Sequence, residues 1–197
     1  MLIGKIIKSN THTDYICQVY GPGEKESPPD REDYAFGTFV GIDLGEGRRL
    51  VGIIYDTMLF NPDFGRMGPR LSPEAELAVF SPDYLEEKAV LIGVLAVGMV
   101  ATSGAVLQGV PPLAATSDAL VEKLTDDEIR VFHRGKPALQ LAYVPLVLAQ
   151  KSPLALHLLQ TVIDRLVSLF PEQAGLLSIV KSDLAWKAQI GPMGDVR

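Results

Sequence analysis

The chain has 197 residues, 47% of them hydrophobic and 21% charged, which argues against global disorder and allows one or two packed domains. Its net charge of −6 argues against a general phosphate-backbone binder, which needs a basic surface, so nucleic acid is not an expected partner. The one cysteine, Cys17, cannot form an intramolecular disulfide, and this points to a reducing compartment and a cytoplasmic location.

Residues 2–8 (LIGKIIK) and 15–20 (YICQVY) are rich in β-branched and aromatic residues. Polar turn formers from Ser9 to Asp14 join them, so a strand pair is expected. The start, MLIGKIIKSN, lacks the apolar core of a signal peptide, and none is expected. The stretch from Gly21 to Asp33 is rich in proline and charge and reads as an exposed loop. Residues 36–43 (FGTFVGID) and 49–58 (RLVGIIYDTM) read as two strands, with glycines of the Leu44–Gly47 segment making a tight hairpin. Glycines inside these strands fit a coiled sheet that closes on itself. Asn61 to Arg70 reads as a turn-rich loop, and Ser72-Pro73-Glu74 opens a short helix to about Phe80.

From Ala89 to Ser117 the chain runs 29 residues without an acidic, basic or histidine residue. The apolar part stops at Ala101, shorter than the roughly 20 residues that a membrane-spanning helix needs. A long strand buried on both faces and kinked at its glycines is expected instead, followed by a loop.

The composition shifts near residue 112. Fourteen of the 18 glycines lie before it, with 15 of the 24 acidic residues and 9 of the 18 basic ones. The remainder is charge-balanced and Leu-rich, so a β unit followed by an α unit is expected. Asp118 to Leu124 reads as a short amphipathic helix. Thr125 with Glu128 matches a capping box, opening a helix that buries Ile129 and Phe132 and ends at Gly135. Residues 138–149 form a short apolar segment in which Pro145 marks a kink or a first turn. Ser152-Pro153 starts a helix to Phe170, with Leu154, Leu158, Leu159, Val162, Ile163 and Leu166 at helical spacing. Pro171-Glu172 begins a last helix to about Lys187, with Leu177, Val180 and Leu184 on one face. The tail from Gly191 is expected to be loose.

Signatures of catalysis are scarce. Neither standard phosphate cradle occurs: Gly135-Lys136 is followed by Pro137, and Gly21 and Gly23 by Glu26. The C-x-x-C, H-E-x-x-H and G-x-S-x-G patterns are also missing. His12 and Asp14 would supply two metal ligands without an evident third, and they read as a polar turn; no cofactor or metal is expected. Cys17, in a strand, reads as a small buried hydrophobe. His133, at a helix end, reads as a cation complementing the helix dipole. With Asp126 and its neighbouring carboxylates it is also the sole candidate for catalysis by proton transfer. His157 falls on a polar helix face. Arg48 and Arg49 at the hairpin end, and Arg66 and Arg70 in the following loop, are candidates for anion contact. Trp186, beside Leu184, reads as a core residue or an interface anchor.

The opening IGKIIKS, the FGTFVGID–GEG–RRLVGIIYD hairpin and the later strand leading into VPPLAATS resemble the HerA–ATP synthase barrel over residues 1–117. That small β-barrel stands at the N-terminus of HerA-type DNA-translocating ATPases and of rotary ATP synthase subunits. The resemblance implies a barrel that packs against its neighbours in a ring. It does not imply ATP hydrolysis, because the motor's phosphate loop is absent and helical sequence stands in its place.

The expectation is therefore an α+β chain: a small closed barrel of about six strands over residues 1–117, a helical unit over 118–190 packed on it, and a tail over 191–197. The function expected is non-catalytic, by homo-oligomerisation or docking of a protein partner. A hydrolase-like enzyme using His133 and nearby carboxylates, and an accessory factor of a nucleic-acid machine, are the rivals.

Overall fold

A computed structural model describes residues 1–60, 89–135, 139–150 and 152–190, with side chains in the last helix described through Trp186. The expected loop at 61–70, the helix at 72–80 and the tail lie outside the described residues, and so do Arg66 and Arg70.

Seven strands are described: β1 (Leu2–Ser9), β2 (Asp14–Val19), β3 (Phe39–Asp43), β4 (Arg49–Phe60), β5 (Ala89–Val100), β6 (Val106–Gln108) and β7 (Leu120–Lys123). Their order in the sheet is β2-β1-β7-β3-β4-β5-β6, and β2 also pairs with β5. That extra pairing closes six strands into an antiparallel barrel and leaves β6 as a flap on its outside. The helices follow as α1 (Asp126–His133), α2 (Val144–Ala149), α3 (Ala155–Leu169) and α4 (Ala174–Ile190). The fold is α+β, a closed six-stranded barrel followed by helices, as the sequence predicts.

The uncharged central stretch supplies β5, the strand that does most to shape the fold. Its residues alternate between two apolar regions, because successive side chains of a strand point to opposite faces. Ile92, Val94 and Ala96 fill the barrel lumen with Ile3, Tyr15 and Leu50. Leu95 and Val97 point outward into a second core, shared with Phe39, Ile53, Phe132 and Leu158. A strand coated on both sides by apolar groups needs no polar alternation, and this accounts for its composition. Beyond it, the chain turns at Gly104 and returns as β6, where only a loop is predicted.

The β3–β4 turn carries three successive residues in the left-handed region, Gly45, Glu46 and Gly47 at φ 76°, 55° and 72°. Glycine meets two of those demands without steric cost. Gly98 answers a different need. A Cβ there would stand 2.3 Å from the Leu107 carbonyl oxygen and 2.8 Å from the Phe132 ring. Its missing side chain is the seat on which Phe132 packs.

The segment 118–124 corrects the sequence reading. It is no helix: Asp118 bends the chain at φ 64°, and Leu120–Lys123 forms β7, which pairs with both β1 and β3. Val121 points into the lumen and is fully buried. The barrel thus runs past residue 117 and is completed by the last strand before the helices.

The capping box holds as predicted. Thr125 Oγ1 accepts from the Glu128 N–H at 3.3 Å, and Glu128 Oε2 accepts from the Thr125 N–H at 2.8 Å. These bonds satisfy two donors that the helix start would leave orphaned. Thr125→Ala is expected to cost about 1 kcal/mol, read as a lowered urea midpoint with unchanged slope.

Helix α3 runs in the predicted frame, with Leu158, Leu159, Val162, Ile163 and Leu166 all buried; Leu154, at its N-cap, is the exception and is exposed, because the helix begins after it. It shares one core with the outward-facing residues of the barrel and contacts α4. No helix among the described residues is long and apolar enough to cross a membrane.

Candidate functional site

The groups able to carry chemistry are best taken one at a time. His133 ends α1 and is fully buried. Its Nδ1 lies 2.8 Å from the Ile129 carbonyl oxygen and its Nε2 lies 2.8 Å from the Tyr143 hydroxyl. A carbonyl only accepts, so Nδ1 carries the proton and Nε2 accepts from Tyr143. The rings of Phe39 and Phe132 stand edge-on to the imidazole at 5.2 and 5.1 Å between centroids. Burial lowers the His133 pKa from 6.5 to about 4. The ring is therefore neutral at pH 7, and it cannot be the dipole-compensating cation that its place at a helix end suggests.

Asp126 belongs to the first turn of α1 and His133 to the last, so about 10 Å of helix rise separates them. Asp126 is ion-paired with Arg165 of α3. The structure does not bring the two candidates together. A cavity of about 330 Å³ has His133 in its wall, beside Arg130, Arg134, Phe170, Glu172 and Gln173. Among its described residues that wall holds no serine, threonine or cysteine to act as a nucleophile, and both imidazole nitrogens are already bonded.

Cys17 faces the lumen, and burial pushes its thiol pKa up to about 12. It is a buried hydrophobe, as predicted, and not a thiolate nucleophile. His12 Nε2 reaches the Pro111 carbonyl oxygen at 2.8 Å, and Asp14 accepts from Asn10 and from Tyr55. Among the described residues no group of three histidine, cysteine or carboxylate side chains is placed to hold a metal. His157 is exposed on α3, as expected.

The hairpin arginines are committed to internal pairs. Arg49 meets Glu128 at 2.6 Å and Glu122 at 3.3 Å, tying β4 to the start of α1 and to β7. Burial works to raise the Glu128 pKa, but hydrogen bonds from Thr125 and the Arg49 charge bring it below the usual carboxylate value. Arg48 meets Glu46 at 2.7 Å. Lys123 of β7 pairs with Asp33 at 2.9 Å, and that bond lowers the Asp33 pKa.

Trp186 is not in the core. It is 64% exposed on α4, while Leu184 is buried. Leu176 and Ile179 are exposed at 46% and 69%. At 100° per residue Ile179 and Trp186 fall opposite Leu177 and Leu184, with Leu176 a quarter-turn from that inward sector and Asp183 between Leu176 and Ile179. The sequence points to the inward face of α4 and, on the outward one, to Trp186 alone as an interface anchor; Leu176 and Ile179 are not singled out. The signal was present: apolar residues recur on both sides of this helix.

Comparison with known families is decided by one match, which runs over residues 1–194 and so covers the barrel and the helices together. The chain belongs to the family described as a domain of unknown function, DUF8166. A search of curated proteins finds no match. The family's span treats barrel and helices as one unit, in agreement with the core that they share.

Proposed function

We propose that this DUF8166 chain is a non-catalytic interaction module that self-associates through the outer face of α4. The observation that carries this reading is α4 itself. One face packs Leu177 and Leu184 inward; the other sets Ile179 and Trp186 in solvent, with Leu176 exposed at its margin. A helix apolar on both faces is stable in water when both are covered. A two-fold axis beside α4 would lay this patch against its own copy, the commonest symmetry of soluble oligomers.

The commitments of the titratable groups support the non-catalytic part. His133, Cys17, Asp126 and Glu128 serve packing, capping and ion pairs. We further propose that the barrel is of the HerA–ATP synthase type, since the FGTFVGID–RRLVGIIYD hairpin behind that resemblance supplies β3 and β4 of a closed barrel. The unpaired cysteine supports a cytoplasmic setting.

The test replaces exposed residues only. In sedimentation velocity the native chain is expected to run as an oligomer, and the Ile179→Glu, Trp186→Glu double variant as a monomer with an unchanged urea midpoint. An oligomer indifferent to both substitutions would remove α4 from the interface.

A further inference from the structure

The free edge of β6 is a second surface, independent of α4. Among the described residues strand β6 pairs only with β5, in the register Gly98↔Gln108, Leu107↔Met99 and Val106↔Val100. The flanking bonds set the phase of this ladder. Ala101 N–H donates to Ala105 O, and Gly109 N–H donates to Val97 O, each at 2.9 Å. In an antiparallel pair the bonded positions alternate, so Leu107 bonds inward to β5. The N–H and C=O groups of Val106 and Gln108 then face away from the sheet. Among the described residues no backbone bond from a turn, loop or cap reaches any of these four groups.

The edge is short, three residues, but it lacks the other usual protections. Its strand carries no charge and no proline, and Leu107 is 42% exposed. Beside it lies a cavity of about 560 Å³ whose wall includes Val106 of β6 and Val131 and Arg134 of α1. Val131 is 48% exposed. Arg134 is exposed; among the described residues it has no side-chain partner and is the only charged one in the wall. The Gln108 side chain holds the other wall in place, donating to Phe132 O and Gln140 O and accepting from Ala142 N–H. The edge is thus a strand template with a fixed groove, an apolar contact and a cation that has no partner among the described residues.

We propose that β6 docks an extended peptide segment of a partner protein, added antiparallel to its free edge, with an acidic side chain of that segment meeting Arg134. Main-chain bonds to Val106 and Gln108 supply the alignment, and alternate side chains of the guest fall toward Val131 and Arg134. Charge complementarity selects the acid, because the described residues of the groove wall carry a single positive charge and no negative one. The inference adds a partner class to the interaction reading above but does not depend on α4.

The probe is a fluorescein-labelled seven-residue peptide alternating valine and aspartate, with a valine–lysine twin, titrated into the full chain. The aspartate peptide is expected to shift the amide resonances of Val106 and Gln108 and to slow their hydrogen exchange. The lysine twin is expected to bind at least about tenfold more weakly, and Arg134→Glu to reverse that preference. Val106→Pro removes an outward N–H at an edge position that tolerates proline, and is expected to abolish binding. Ile179→Glu is expected to leave peptide binding intact, which separates this outcome from failure of the α4 interface. Millimolar aspartate peptide that leaves both amides unmoved would overturn the proposal. So would peptide binding that survives Val106→Pro, or concentration-dependent protection of the two amides without peptide, which would make the edge a contact between copies.

Discussion

Phe132→Ala is expected to lower stability by about 3–5 kcal/mol, the largest loss among single truncations in this account. The residue is fully buried and reaches three parts of the molecule at once. It stacks on Tyr143 at 6.2 Å, stands edge-on to His133 at 5.1 Å and seats on Gly98 of the barrel. Truncation would leave a cavity at the junction of barrel and helices, lined by rings that cannot collapse into it. Because both parts contribute to one core, the urea midpoint is expected to fall while the slope stays that of a single transition. Two separated transitions, one for barrel and one for helices, would show that the junction contributes little. Gly98→Val should act in the same direction, since its side chain would occupy the place of the Phe132 ring.

Acidification is expected to remove about 3 kcal/mol through His133 alone. The folded-state pKa is about 4 and the ordinary value is 6.5, so between these limits the unfolded chain binds the proton that the folded chain refuses. Stability is therefore fully present above pH 6.5 and is lost as pH falls toward 4. Around the imidazole stand Phe39, Phe132 and Tyr143, and only Tyr143 is titratable; burial raises its pKa, so it stays neutral throughout. The paired carboxylates act lower on the scale. Asp33 and Glu128 have depressed pKa values, so their contribution is lost only as pH falls through the acid range below about 4. Urea unfolding at pH 7, 6 and 5 measures the histidine window. His133→Phe should flatten the slope there, at the cost of the Tyr143 hydrogen bond. A native slope that is already flat between pH 7 and 5 would contradict the neutral buried imidazole.

The barrel was legible in the sequence where local pattern and tertiary role agree. The absence of charge in β5 follows from burial on both faces, and the glycines between Leu44 and Arg48 follow from the hairpin's left-handed turn. The same holds for Thr125 with Glu128, where the cap is made by residues three apart. Legibility failed where distant partners decide. Strand β7 has four residues, of which Val121 alone is fully buried. Nothing in LVEK distinguishes it from a helical turn until β1 and β3 provide their edges. His133 failed for a related reason. A histidine at a helix end reads as a cation, and its neutrality comes from Phe39 and Tyr143, far apart in the chain. The edge of β6, and the outer face of α4 apart from Trp186, escaped notice because surfaces are defined by what does not cover them.

The most direct measurement is the molar mass of the chain in solution, by size-exclusion chromatography with light scattering, at low and high salt. Apolar contact through Leu176, Ile179 and Trp186 is not screened by salt, so the account predicts the same closed oligomer at both. A monomer of 21.3 kDa at both salts and at every loading concentration would contradict it.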